Sequence, residues 1–324
     1  MRMIKAAYPG GIVLAVGIFL SCTCFAGDRG SVQGAFLNEV YEPQIEEVHI
    51  VIPGMEEERT LLWVSDLHIC SGEDDPDVTK EHREDAARRY EMNKNAEGIP
   101  AREIWKLLSA QIDSFEADYV IFGADMVDYA SEANYAVLQE GMEKIHTPWM
   151  YLRADHDYGR WYSDMGIKRM RKLQRKIAPQ NKLWTADFGD FIVAGLDNTT
   201  SAVSEETLEE FRQLCGRGVP VILCSHVPLD SGMGDCASLA ELSRECWGDR
   251  VLCWGDGDEY DTSGGGCMKQ LLEIITASDS PVRAVLAGHL HVSWDGALTD
   301  TCTGHVFSAA FQDRIGIITL SGKS

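Results

Sequence analysis

Asp66 and His68 stand two residues apart, directly after the apolar run Leu61-Leu62-Trp63-Val64. On an extended chain both side chains leave the same face, where a carboxylate oxygen and an imidazole nitrogen can share one cation. The arrangement recurs. Tyr119-Val120-Ile121-Phe122 runs into Asp125 and Asp128, and Trp149-Met150-Tyr151-Leu152 into Asp155, His156 and Asp157. Val221-Ile222-Leu223-Cys224 leads to His226, and Val285-Leu286-Ala287 to His289 and His291. One Asp-x-His carries little information, but five apolar runs that each end in Asp or His are not explained by core packing. They take five of the nine histidines, leaving His49, His82, His146 and His305 to ordinary structural roles.

Short apolar runs of this kind read as buried strands. In open α/β sheets ligands bind outside the carboxyl ends of the strands, so the five clusters should converge on one crevice. Around them, residues 101–115 and 131–145 show helical apolar spacing, the second with Ser131 as N-cap and Glu132 in its first turn. Residues 204–214 read as another Ser-capped helix. Phe188-Gly189-Asp190-Phe191-Ile192-Val193 reads as a hairpin in a second sheet, and residues 305–320 as paired strands closing that sheet.

The 324 residues are 45% apolar and 25% charged, enough to bury a core, and no Pro/Ser-rich linker divides them, so one large domain is expected over 61–321. Residues 1–26 differ. Arg2 and Lys5 precede an uncharged stretch ending at Ala26, as in a secretory signal or N-terminal membrane anchor. The expected location is secreted or membrane-anchored on the extracytoplasmic side, with cleavage after Ala26 or, alternatively, a lipid on Cys22 in Phe19-Leu20-Ser21-Cys22. Residues 27–60 form an intervening N-terminal segment. The formal charge is −22, and losing Arg2 and Lys5 makes it more negative still. Such a field repels nucleic acid, whose binding rests on Lys and Arg, while a small phosphorylated substrate drawn in by bound cations stays compatible.

Taken in order, the blocks Asp66-x-His68, Asp125-x-x-Asp128, Asp155-His156-Asp157, His226 and Gly288-His289-x-His291 resemble the motifs of the calcineurin-like metallophosphoesterase superfamily. The resemblance implies a four-layer α/β/β/α sandwich and a dimetal hydrolase of phosphate esters. It also implies that Asp66, His68, Asp125 and His291 hold one metal, and that Asp125, Asp155, His226 and His289 hold the other. Two cations so bridged can hold a hydroxide that attacks phosphorus. His156 would act as acid or charge stabiliser, with Asp128 orienting it, and the donor set suits Mn, Fe or Zn. The alternative is a protein of the same fold that binds metal or ligand without turnover.

Three departures from the family pattern stand out. Asp155 occupies a position usually held by Asn, which adds negative charge and makes a bound metal a weaker Lewis acid. Ala124 replaces the Gly before the bridging aspartate, a mild change unless that position needs positive φ. Tyr129 stands where phosphoprotein phosphatases carry a phosphate-gripping Arg, which favours a small phosphomonoester or phosphodiester. Arg153 just before the third block, and Tyr158, Arg160, Trp161 and Tyr162 just after it, either line the substrate pocket or pack.

Two insertions are expected, at 73–100 and 229–266. The first is charge-rich and reads as a helix with loop ends, either a lid or a solvated surface. In and just after the second lie Cys236, Cys246, Cys253 and Cys267, without a Cys-x-x-Cys pair, so one or two disulfides are expected there rather than structural zinc. Cys70 and Cys224, beside apolar strands, read as buried free thiols.

Overall fold

In strand β2 (Arg59–Val64), Leu61 and Trp63 turn into one apolar cluster and Leu62 and Val64 into another. A strand covered on both faces must be apolar at every position, which is why these segments read as unbroken hydrophobic runs. The same alternation holds for Ile121 against Val120 and Phe122 in β3 (Tyr119–Phe122), and for Ile222 and Cys224 against Val221 and Leu223 in β7 (Val221–Ser225).

The computed structural model describes residues 41–178, 182–198, 203–249, 251–254 and 266–323. The signal or anchor expected over 1–26, with Cys22, lies outside them. The first sheet has the order β1-β13-β2-β3-β4, adding β1 (Gln44–Val51), β4 (Trp149–Tyr151) and β13 (Arg314–Ser321). The second has the order β11-β12-β10-β7-β6-β5, with β5 (Leu183–Asp187), β6 (Ile192–Leu196), β10 (Val282–Ala287), β11 (Trp294–Ala297) and β12 (Thr303–Val306). β8 (Leu229–Asp230) and β9 (Cys253–Trp254) pair separately.

Between the sheets lie Leu61, Trp63, Ile121, Met150, Val193, Ile222, Ala284 and Leu286. Outside the first sheet, the core takes in Ile104, Trp105 and Leu108 of α2 (Ala101–Ser109), Leu138 and Met142 of α3 (Glu132–Met142), and Met170 of α5 (Ile167–Ile177). Behind the second, Leu208 and Phe211 of α6 (Glu205–Cys215) join Met268 and Leu271 of α8 (Cys267–Thr276). The layers are α/β/β/α, as the resemblance implied. Ser131 and Ser204 cap α3 and α6 through their hydroxyls, which accept from the N–H groups of Asn134 and Thr207. The hairpin at 188–191 joins β5 to β6.

Three expectations are corrected or refined. The strands of residues 305–320 do not pair with each other. β12 stays in the second sheet, whereas β13 crosses into the first, between β1 and β2. A 3-10 turn at Ala310–Gln312 ends with Asp313 at φ 60°, which redirects the chain. The first sheet also begins before residue 61, because β1 runs parallel to β13. The disulfides expected among the cysteines from 236 to 267 do not form among the described residues: Cys236, Cys246 and Cys267 carry free thiols, and the Cys253 sulfur meets the Asn198 amide. Cys236 and Cys253 are buried behind the second sheet while Cys246 is exposed on α7 (Cys236–Trp247). Cys70 and Cys224 are buried free thiols, as read from the sequence.

Candidate metal centre

The loops after β2, β3, β4, β7 and β10 bring all seven expected ligands and His156 to one end of the two sheets. The local backbone is not the extended chain expected at Asp66 and His68. Asp66 (φ 54°), His68 (49°), Asp125 (49°), His289 (72°) and His291 (59°) are all left-handed. Non-glycine residues pay about 1–2 kcal/mol each for that conformation, so the surroundings must enforce it. Ala124 is left-handed too, at φ 76°, so its departure from Gly does carry strain, partly offset by burial of its methyl in the inter-sheet core.

The enforcement is visible in the hydrogen bonds. Asp66 N–H donates to Ala124 O (3.0 Å), His68 N–H to Asp125 O (2.9 Å) and Ile69 N–H to Met126 O (3.0 Å), zipping the loops after β2 and β3 together. Asp157, in the short helix α4 (Asp155–Tyr158), ties the loop after β3 to the one after β4. Its carboxylate accepts from the N–H groups of Asp125 (3.0 Å), Met126 (3.1 Å) and Ala154 (3.0 Å) and from the Tyr151 hydroxyl (2.8 Å). Gly288 leaves room for Asp66: a Cβ there would lie 2.3 Å from Asp66 Oδ2. Gly288→Ala should therefore displace this carboxylate and weaken metal affinity roughly 10–100-fold. Metal titration of the variant checks this, and an unchanged affinity would show that Asp66 does not ligate.

Two groups of ligand atoms close enough to hold an ion are Asp66, His68 and His291, and Asp125, His226 and His289. Asp125 stands between them, its Oδ2 3.0 Å from His226 Nε2 and 3.9 Å from His68 Nε2. Asp155 joins Asp125 and His156 in a third group. Buried polar atoms are normally satisfied, yet Asp125 Oδ1 and His226 Nε2 are buried without a hydrogen-bond partner, and His68 Nε2 faces His291 Nε2 at 3.1 Å. Lone pairs converging in this way, with too few donors among them, fit cations.

Second contacts set the ring orientations. His226 Nδ1 donates to Gly123 O (2.8 Å) and His68 Nδ1 to Asp128 Oδ1 (3.2 Å), which leaves Nε2 of each for a metal. Burial alone would lower the His226 imidazole, but Asp125 and Asp66 outweigh it and raise it to about 10. Burial lowers His289 to about 3, helped by His226, and His68 to about 4, helped by His156. The carboxylates of Asp66 and Asp125 are held low, the flanking histidines outweighing burial.

His156 Nδ1 donates to the backbone oxygen of Asp128 (2.7 Å), and the Asp128 carboxylate stands 3.5 Å away. That carboxylate is instead engaged by His68 and by Arg89 of α1 (Arg83–Met92), whose Nε reaches Oδ2 at 3.0 Å and whose Nη2 bonds Oδ1. Arg89 lies in the 73–100 insertion and was not flagged by the sequence. Asn198 was missed too; its Oδ1 accepts from the N–H groups of His226 and Val227 (both 3.2 Å). The signal was available, since Asn198 closely follows the apolar strand β6. Tyr129 is fully buried against Cys70 and Tyr162, with its hydroxyl toward Gly72 O. Trp161 and Trp247, each about half exposed, meet the rings of His156 (4.9 Å) and His291 (5.3 Å) respectively. The other histidines bond elsewhere: His49 to Ser321, His146 to Asp113, His305 to Asp295 and Thr303, while His82 stands beside Asp85.

Among solved structures, a dimetal phosphatase from Danio rerio is similar at 10% identity over 78% of this chain and 88% of that one, with a TM-score of 0.47. A conserved protein from Streptococcus pneumoniae TIGR4, described as a predicted phosphoesterase, is similar at 9% identity over 78% and 74% of the two chains, with a TM-score of 0.28. A search of curated proteins finds no match. The calcineurin-like phosphoesterase family model matches residues 59–293, a span that holds every ligand candidate from Asp66 to His291, and the chain belongs to that family.

Proposed function

We propose that this phosphoesterase is a dimetal hydrolase acting on a small phosphorylated molecule. Asp66, His68, Asp125 and His291 would hold one cation, and Asp125, Asp155, His226 and His289 the other. Asp125 carries this reading: it lies between the two groups, with a buried carboxylate oxygen that no donor satisfies. Mn, Fe or Zn suits the mixed imidazole and carboxylate donors. Such a pair, when bound, activates water and neutralises the phosphoryl oxygens.

The chain's own residues supply the rest. His156 is fixed through Nδ1, so Nε2 is the atom that can hold a proton for the leaving oxygen. Burial lowers this imidazole, but Asp125 and Asp128 outweigh it, so it is held above its ordinary value, the direction a proton donor needs. Arg89 neutralises Asp128 and so fixes His68 and the backbone that holds His156. With Tyr129 buried, no arginine grips phosphate at that position, which favours a small ester over a phosphoprotein. Nucleic acid is disfavoured by the net charge of −22.

His156→Ala should keep its metal and lose about 10²–10⁴-fold in kcat. The test is hydrolysis of aryl monoester and diester phosphates with Mn, Zn, Fe or no metal, alongside metal content. A metal-loaded protein that turns over neither ester would favour the non-catalytic binding reading. We also propose export through residues 1–26, with a membrane tether if they are retained; fractionation and N-terminal sequencing of the expressed protein test this, and intact cytoplasmic protein would overturn it.

A further inference from the structure

Trp161 makes a T-shaped contact with the His156 ring and also lines a cavity. Its indole lies against Gly159, where a Cβ would sit 2.6 Å from the ring. The cavity has a volume of about 540 Å³ and is lined by Tyr158, Arg160, Trp161, Ile167, Met170 and Arg171. That volume suits a small organic group. Its walls divide by chemistry: Trp161, Ile167 and Met170 are apolar, while Arg160 and Arg171 bring guanidinium groups.

Arg160 spends one nitrogen on Met165 O (3.0 Å), and no carboxylate among the described residues pairs with Arg171. The cavity also opens beside a basic helix face in an acidic chain. α5 exposes Lys168, Arg169, Arg171, Lys172, Arg175 and Lys176, of which Arg169 is paired, with Asp77 and Glu132. A cationic face next to a centre that cleaves an anionic ester attracts a second anionic group.

We infer that this cavity is the leaving-group site, and that the substrate carries there a flat apolar group with its own phosphate or carboxylate. The inference rests on the phosphoesterase reading of the adjoining centre. The ring lies along Trp161, Ile167 and Met170, and the second anion meets Arg171 and the remaining nitrogens of Arg160. The substrate is therefore anionic at both ends, and the enzyme selects against esters whose leaving group is neutral.

Calorimetric titration of the Mn-loaded protein with non-hydrolysable analogues tests this. Benzylphosphonate has one anionic end, while 4-carboxybenzylphosphonate and p-xylylenediphosphonate have two. The expected result is about 10-fold or more tighter binding of both dianionic-ended probes, the size of a charged hydrogen bond, with the stronger of the two naming carboxylate or phosphate. Arg171→Glu should bring the ratio toward one, whereas Lys176→Glu, on the same helix outside the cavity, should preserve it. Equal binding of all probes, no binding of any, or a ratio untouched by Arg171→Glu overturns the inference. Ester hydrolysis without this preference would sink the leaving-group site alone; the preference without hydrolysis would sink the hydrolase reading alone.

Discussion

Asp125→Asn should leave the protein folded but strip it of both cations, with turnover falling at least about 10³-fold. The carboxylate sits 3.0 Å from His226 Nε2 and 3.9 Å from His68 Nε2, so one substitution reaches both groups of ligands. An amide keeps the shape but gives up the charge and one of the two donor oxygens. Losing about 4 kcal/mol of Lewis-acid stabilisation in the transition state corresponds to a 10³-fold fall. Metal content after dialysis, measured beside kcat, decides the matter. Two retained ions per chain would show that Asp125 does not bridge.

Asp157→Asn is expected to act through the backbone instead. The aspartate's two oxygens accept from N–H groups of Asp125, Met126 and Ala154 and from the Tyr151 hydroxyl, all buried. An asparagine has one oxygen, so its NH₂ must face either the N–H groups of Asp125 and Ala154 or that of Met126. With buried donors left unsatisfied at about 1–3 kcal/mol each, the loss should come to about 3–5 kcal/mol, or roughly 10 °C in Tm. Metal affinity should fall with it, because the same N–H groups set the left-handed turn at Asp125. Thermal unfolding within about 2 °C of the parent protein would refute the brace.

Much of this site was legible in the sequence for one reason. Strands buried on both faces read as apolar runs, so the residues just beyond them are marked as lying at a sheet edge, and Asp66, Asp125, His226 and His289 could be placed together. The turns themselves were not legible. An extended Asp66-Leu67-His68 was the natural expectation, and only the pairing with residues 124–126 imposes positive φ on it. Arg89 looked like one charge among many in a solvated helix, because nothing local marks a partner on another loop. The sheet choice of β13 was equally hidden: its alternating Ile318 and Leu320 fit either sandwich layer. Asn198 differs from these, since its position just beyond β6 repeats the pattern that revealed the others.

The position of β13 bears on the order of events during synthesis. Residues 314–321 lie between β1 and β2 in the first sheet, and the Ala310 N–H bonds Ser65 O beside the first ligand. The loop bearing Asp66 and His68 thus receives its neighbour from residues translated long after it. A nascent chain still missing that strand has the motifs but not the seat for them. The seat for the ligand candidates is therefore completed only after residues 310–321 have been made and have paired with the loop at Ser65 and with β2.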